Sequence, residues 1–311
     1  MNVKKIIAFL FVPILFLAVG CGGGSKQELS ALKIGLMPDT DSVPFIIAQE
    51  KGYFAEEGLT VKLQPFKSAM DRDSALQSGN LDGAVSDLLA VAFAKDGGFD
   101  VKVTSVTDGS YKLVAAPGTE SLSVKALAGK EVAVSRNTII EYVTDHILES
   151  NAMSGDDIAK VVIPQIPTRL ELLQSGKLRA ATLPEPMASI AVHNGCRFII
   201  GSDELGINPG VILFTEKSTR EKRKEIQAMY RAYNKAVAYL NSTDRAEYID
   251  LVVEKSGFPP AAKEALVLPV YHTAALPRER DVTDCIAWLK GRGLIKESYG
   301  YDALVLDLLQ P

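Results

Sequence analysis

Hydroxyls, arginines and carboxylates recur in this chain at one kind of place: the loop that follows a short apolar run and opens a helix. Ser42, Ser68, Ser86, Ser135 and Thr138 all stand there. A hydroxyl at a helix start satisfies backbone N–H groups that lack an intrahelical partner, and the same helix end attracts anions. Any one of these residues is accounted for as a cap; their gathering on one edge of a fold is not. Arg72 and Arg136 lie in the same loops, and a guanidinium there would grip a sulfonate, carboxylate or phosphate with forked donors. Asp39, Asp41, Asp87 and Glu185 would accept from an amine or a ring N–H. A site carrying both signs suits a zwitterion or a polar heterocycle better than a plain inorganic anion. Tyr111, Phe45 and Met70 would supply an apolar or stacking wall. This chemistry is binding. Ser86-Asp87 has no nearby His, and His146, His193 and His272 fall on or beside expected helices, so no nucleophile–base pair forms. No phosphate loop, dinucleotide fingerprint or metal spacing occurs, and no cofactor is expected.

The elements that position these loops come in two similar sets. Residues 76–87 read LQSGNLDGAVSD and residues 173–186 read LQSGKLRAATLPEP. Laid over each other, Leu76, Gln77, Ser78, Gly79, Leu81 and Ala84 meet Leu173, Gln174, Ser175, Gly176, Leu178 and Ala181, and upstream Arg72 meets Arg169. Each copy reads as a helix ended by Gly and running into a short apolar strand. The repeat is far longer than a solenoid period. It implies two related α/β lobes, and a cleft between lobes is a common place to hold a small molecule.

Along the chain, strands are expected at 32–37, 59–63, 83–85, 101–106 and 112–116, then at 131–134, 161–163, 180–183, 198–200 and 211–215. Helices fall between them, and from Thr219 onward the pattern is helical only. This alternation implies parallel sheets with right-handed crossovers, whose ligands bind at the carboxyl ends of the strands. Two lobe crossings are expected, near 107–117 and 202–212, which permits a hinge. The expected organisation is residues 1–20 as a leader, 21–30 as a tether, 31–115 with 212–311 as the first lobe, and 116–211 as the second.

The N-terminus is excluded from the fold. Lys4 and Lys5 precede an apolar run from Ile6 to Val19, too short for a comfortable membrane span. Small residues then lead to Cys21 and a Gly/Ser stretch. This looks like a bacterial lipoprotein signal, with cleavage before Cys21 and lipidation of its thiol, although Ala18 stands where Leu is usual. Such an anchor holds a protein at a membrane without spanning it. The 34 basic and 38 acidic residues give a net charge of −4. Losing Lys4 and Lys5 leaves 32 against 38, or −6, which argues against a nucleic-acid partner. Cys196 and Cys285 fall in different segments and are expected as two unpaired thiols. With three His and no close Cys/His spacing, a zinc site is not expected.

The phrase IGLMPDTDSVPFIIAQEKGYFAEEGLTV, from Ile34 to Val61, resembles the opening of the nitrate/sulfonate/taurine-type solute-binding proteins of ABC transporters. Those proteins are related to thiamine-pyrimidine-precursor binding proteins. The likeness continues through ALQSGNLDGAVSD and TLPEPMASIA and covers most of residues 32–215. It implies an α/β, two-lobed type II periplasmic-binding-protein fold with a hinged interlobe cleft and a helical C-terminal tail. It further implies a lipid-anchored, extracytoplasmic, monomeric receptor that delivers a small polar organic solute to a permease with a separate ATPase subunit. Carried over by position, ligand contacts are implied from Pro38–Pro44, Ser68–Arg72, Ser86–Asp87, Ser135, Arg136, Asn137, Thr138 and Glu185. The identity of the solute does not carry over. An enzyme on the same fold, chorismate-dehydratase-like or pyrimidine-synthesising, is the alternative. It is disfavoured by the lipoprotein signal and by the lack of the cysteine run of the pyrimidine synthases. A regulator's sensor domain is disfavoured because no DNA-binding segment is attached.

Overall fold

A computed structural model describes residues 29–310; Cys21 and the leader expected before it lie outside the described residues. In chain order the first strands and helices are β1 (Leu32–Leu36), α1 (Val43–Glu50), α2 (Tyr53–Glu56), β2 (Val61–Pro65), α3 (Ala69–Gln77), β3 (Gly83–Asp87), α4 (Leu88–Asp96) and β4 (Val101–Val106). There follow β5 (Tyr111–Ala115), β6 (Glu131–Val134), α5 (Ile139–Glu149), β7 (Ala159–Val162), α6 (Ile166–Gln174), β8 (Ala180–Pro184), α7 (Met187–His193) and β9 (Arg197–Gly201). The chain continues through α8 (Ser202–Leu205), β10 (Gly210–Thr215), α9 (Glu216–Glu221), α10 (Arg223–Ser242), α11 (Ile249–Ser256), α12 (Ala262–Ala265), α13 (Glu279–Gly291) and α14 (Tyr301–Leu304).

The strands form two five-stranded sheets, ordered β2-β1-β3-β10-β4 and β7-β6-β8-β5-β9. Strands β3 and β8 are buried along their whole length, as expected where helices cover both faces of a parallel sheet. Gly83 is required by this packing: a Cβ there would come within 2.5 Å of the Phe214 ring. The duplicated phrase is duplicated structure. In both copies the helix ends before a Gly of positive φ, 76° at Gly79 and 71° at Gly176, and the chain re-enters its sheet at the same place.

Two expectations are corrected. Tyr111–Ala115, placed in the first lobe from sequence, pairs with β8 and β9 in the second sheet, so the chain crosses between sheets before Tyr111. The sheets are also not wholly parallel. Strand β10 runs antiparallel to β3 and β4, and β5 antiparallel to β8 and β9. The reason is geometric: β4 and β9 end at the edge that faces the other sheet. A chain that crosses directly from that edge enters the next sheet from its own facing edge, and must run against its neighbours.

The core has two layers. One gathers β1, α1, α6, α7 and α10, the other α4, α5, β6 and α13. Each layer draws on both sheets, so the apolar surface is continuous across the junction of the lobes. The helical tail also bridges them. Helix α10 packs on α1 and α2, and α13 on α4, while Trp288 of α13 meets Tyr142 of α5 edge-on at 5.5 Å. Arg292 reaches Asp145 at 2.6 Å, and Lys160 reaches Asp145 and Glu141 at 2.6 and 2.9 Å. Cys196 and Cys285 are buried free thiols. Among the described residues no helix is long and apolar enough to cross a membrane.

Candidate functional site

The loops after β1, β3, β6 and β8 meet where the sheets face each other. Backbone hydrogen bonds run directly between the lobes there, from Thr40 N to Glu185 O at 2.9 Å and from Ile166 N to Lys67 O at 3.1 Å. The Gln165 amide donates to Asp71 Oδ2 at 3.1 Å. Among these contacts lies a chamber of about 40 Å³, lined by Asp39, Arg72, Ser86, Asp87, Ser135 and Arg169 among others. Of the residues expected from sequence to bind, Asp39, Arg72, Ser86, Asp87, Ser135 and Thr138 line it.

Asp39 stands before the short turn Thr40–Ser42, where its Oδ1 accepts from Ser42 N at 3.2 Å and from Ser42 Oγ at 3.1 Å. Ser42 Oγ in turn accepts from Met37 N at 3.1 Å, so Ser42 holds the loop. Burial pushes the Asp39 carboxyl up to about 6, against the Ser42 hydrogen bonds and the charge of Arg72. Asp87 caps α4 through Ala90 N at 2.9 Å and is raised by burial, with Arg72 opposing. Ser86 Oγ is buried with no hydrogen-bond partner.

Arg72 is 3% exposed. Its Nη1 donates to Val85 O at 3.2 Å and its Nε to Asp73 Oδ1 at 2.8 Å. Nη2 lies 2.8 Å from that same oxygen, off the hydrogen-bond direction, and has no acceptor of its own. Burial works against this charge, but Asp73 and Asp87 outweigh it and hold the group above its ordinary value.

Arg169, absent from the expected set, is its counterpart in the second lobe. It is fully buried. Its Nε donates to Thr182 O at 3.0 Å, 13 residues downstream, just as Arg72 reaches Val85 O, 13 residues downstream. Nη1 donates to Ile163 O at 2.7 Å, and Nη2 has no partner. No carboxylate compensates it, and burial brings it down to about 10. The repeat carries the signal for Arg169, since it aligns this residue with Arg72. Sequence reasoning weighed Arg72 by its loop and did not carry that role across.

Other expected residues stand elsewhere. Asp41 is buried behind the chamber, where Tyr111 Oη donates to its Oδ2 at 3.1 Å and Oδ1 is unpaired. Burial and then the charge of Asp39 raise it well above the usual carboxylate range. Ser68 caps α3 through Asp71 N at 3.3 Å and donates to Asp71 Oδ2 at 2.6 Å, so its hydroxyl is occupied. Met70 is 61% exposed, because the α3 turn that buries Arg72 turns its neighbour outward. Arg136 and Asn137 are exposed at the turn before α5, where Asn137 N donates to Glu141 Oε2 at 2.7 Å. The Glu185 carboxylate is bound by Lys112 at 2.6 Å and by the Ser189 hydroxyl and N–H at 2.9 and 3.0 Å. It serves α7 rather than the chamber. Phe45 is core, packed edge-on against Tyr233, whereas Tyr111 does line the chamber.

The chamber is therefore a small, polar-walled space with two buried guanidinium groups, one from each lobe, each with an Nη2 that makes no hydrogen bond. Asp39, Asp87 and the hydroxyl residues Ser86, Ser135, Thr138 and Tyr111 share its wall. Unpaired buried donors are costly, and an oxyanion between them would satisfy both. Among the described residues no group of three or more His, Cys, Asp or Glu could hold a metal ion.

Comparison with known proteins agrees with this architecture. The alkanesulfonate-binding protein SsuA of Xanthomonas axonopodis pv. citri, solved with MOPS bound, superposes with a TM-score of 0.76 at 18% identity, over 90% of this chain and 99% of that one. The nitrate-binding protein NrtA of Synechocystis PCC 6803 gives 0.73 at 14% identity, over 89% and 84%. A protein of Brachyspira hyodysenteriae, named as an ABC transporter periplasmic binding protein, is 22% identical over 254 residues, 76% of this chain and 73% of that one. The two-lobed fold is that of the periplasmic binding proteins. The model of the NMT1-like family matches residues 25–253, and the chain belongs to that family.

Proposed function

We propose that the chain is the solute-binding component of an ABC importer, capturing a small organic oxyanion of the sulfonate type by closure of the two lobes. It hands the solute to a permease driven by a separate ATPase subunit. The observation that carries the reading is the pair of buried guanidinium groups, Arg72 and Arg169, both on the wall of one chamber, with Nη2 of Arg169 unpaired and Nη2 of Arg72 beside Asp73 but without a hydrogen bond. Because one comes from each lobe, an oxyanion bridging them rewards closure. Asp39 and Asp87 serve a polar N–H where the solute has one, as in a taurine-like zwitterion or a pyrimidine-like ring. The likeness to sulfonate- and nitrate-binding proteins supports the oxyanion. Residues 1–20 are read as a signal and Cys21 as a lipidated anchor that keeps the receptor extracytoplasmic and membrane-bound. The working units are two lobes joined by the crossings at 107–110 and 202–209.

The test is a thermal-unfolding screen against alkanesulfonates, taurine, nitrate, aminopyrimidines and aromatic acids. A ligand at about 100 times its Kd adds about 2.7 kcal/mol, which moves the midpoint by several degrees. Stabilisation by an oxyanion that is lost in Arg169→Gln upholds the reading. Stabilisation only by an uncharged ring, unaffected by Arg169→Gln, overturns it.

A further inference from the structure

Asp41 has no place on the chamber wall; it stands at the hinge. It is 2% exposed, on the short turn Thr40–Ser42. From the second lobe, Tyr111 at the start of β5 donates to its Oδ2 at 3.1 Å. From the first crossing, Gly109 lies so close that a Cβ there would overlap the carboxyl, with Asp41 Cγ and Oδ1 only 2.7 Å away. Gly109 does not have a positive φ, so its backbone does not demand glycine; the Asp41 carboxyl does. The second crossing closes the same spot. Thr107 N donates to Gly210 O at 3.1 Å, Asn208 Nδ2 donates to Thr107 O, and a Cβ on Gly210 would overlap Thr107 Oγ1. Asp41 Oδ1 and Thr107 Oγ1 are both buried without a hydrogen-bond partner. Buried polar atoms are rarely left so; here contact with the crossings, rather than a full set of hydrogen bonds, holds the carboxyl.

The turn that carries Asp41 also touches the chamber's surroundings. Thr40 N donates to Glu185 O of the second lobe at 2.9 Å, and Thr40 O accepts from Tyr271 Oη of the tail at 2.8 Å. Asp39, just before the turn, is on the chamber wall. We propose that Asp41 is a positioning residue for capture: its carboxyl is the seat on which the first crossing bears when the lobes close, and it sets the angle at which they meet. Hinge segments absorb the backbone change of a closure, and close-packed interiors transmit a displacement instead of absorbing it. A seat beside the crossing therefore fixes how near the far parts of the lobes come, including the spacing of Arg72 and Arg169. Gly109 and Asp41 are a fitted pair. Enlarging the first wedges the lobes apart, and shortening the second makes room again. This inference rests on the lobe-closure reading given above.

The experiment uses the chain from Ser25 onward, which contains every strand and helix described, from Leu32 to Leu304, carrying Asp71→Cys and Gln165→Cys. Those two side chains meet across the lips of the chamber at 3.1 Å. The rate at which a short bismaleimide joins them, with no solute added, reports closure; the native Cys196 and Cys285 are buried. Gly109→Ala is expected to slow joining about tenfold, as overpacking a close contact does. Adding Asp41→Ala is expected to bring the rate back to that of Asp41→Ala alone, a coupling that a double-mutant cycle isolates. Gly210→Ala meets Thr107 rather than Asp41 and is the control, which Asp41→Ala should not rescue. Thermal midpoints confirm folding, and where Gly109→Ala is too unstable to assay, the same pairwise rescue is read in the midpoint. Joining at the parental rate in Gly109→Ala overturns the seat. Slowing that Asp41→Ala leaves in place overturns it too, as does rescue of Gly210→Ala by the same substitution. No joining in the parent chain overturns lobe closure and this inference together.

Discussion

Arg72 and Arg169 occupy the same position of a repeated unit, each donate to the strand carbonyl 13 residues downstream, through Nη1 and Nε respectively, and sit in different electrostatic surroundings. In the first lobe Arg72 is answered by Asp73 at 2.8 Å and by Asp87, at the end of β3. In the second lobe the equivalent strand end is Leu183-Pro184, and Arg169 has only the carbonyls of Thr182 and Ile163. The repeat presents the geometry twice, and the different strand ends, Asp87 against Pro184, leave one charge compensated and one bare. The bare one sets the chamber's appetite for an anion. The compensated one contributes to the fold as well.

The comparison can be broken most directly by replacing each arginine. Arg169→Gln is expected to weaken oxyanion binding up to about 100-fold, because a hydrogen bond to a charged, buried group is worth about 1.5–3 kcal/mol. Arg72→Gln should cost less, since Asp73 and Asp87 already draw on its charge; calorimetric titration of both variants ranks them, and the reverse order would refute the argument. Stability should rank them the other way. Arg72→Met leaves Asp87 buried without its cation and is expected to cost about 3 kcal/mol. Arg169→Met removes an uncompensated buried charge and offsets much of its lost hydrogen bonding, so a change within about 1 kcal/mol is expected by urea unfolding.

Acidity gives a second handle on the same contrast. The Asp39 carboxyl is raised from an ordinary 3.8 to about 6 in the folded chain. The folded state therefore binds more protons than the unfolded state between these values, and stability must fall as pH rises through that window. The solute-free protein should be more stable near pH 4 to 5 than at pH 7, with Asp41 and Asp87, also raised, acting in the same direction. Asp39→Asn should flatten the slope. Protonating Asp39 also removes a negative charge beside Arg72, so oxyanion affinity is expected to strengthen from pH 7 to pH 5. An affinity that weakens over that interval would show that Asp39 binds the solute as a carboxylate.

The hydroxyls offer a finer test. Ser68→Ala should cost about 1 kcal/mol as a lost helix cap and leave affinity unchanged, because that oxygen is bound within α3. Ser86→Ala should do the reverse, with little change in stability and a loss of several-fold in affinity, because Ser86 Oγ has no partner in the fold. The smallest effects are expected at Arg136→Ala and Met70→Ala, exposed and off the chamber, within about 0.5 kcal/mol in stability and with unchanged binding.

Much of this was legible in the chain. The α/β alternation, the two lobes, the Gly-ended helices and the post-strand loops follow from apolar period and turn chemistry, which act over a few residues. Six of the expected contacts, among them Asp39, Arg72 and Asp87, do line the chamber, because a residue just past a parallel strand must lie at that edge. Glu185, Met70 and Arg136 satisfied the same rule and do not line the chamber. Which way a side chain leaves its loop depends on what packs behind it, here Lys112 and Ser189 for Glu185 and solvent for the other two.

What the sequence by itself determined is the set of local elements and the fact of a duplication, since both are written in short-range pattern. Tertiary structure alone decided that Tyr111–Ala115 joins the second sheet, that β5 and β10 run antiparallel, and that Arg72 and Arg169 face one chamber. Each depends on where the chain goes after it crosses between lobes. Crossing joins residues far apart in sequence, and no periodicity within a segment records which partner it will meet.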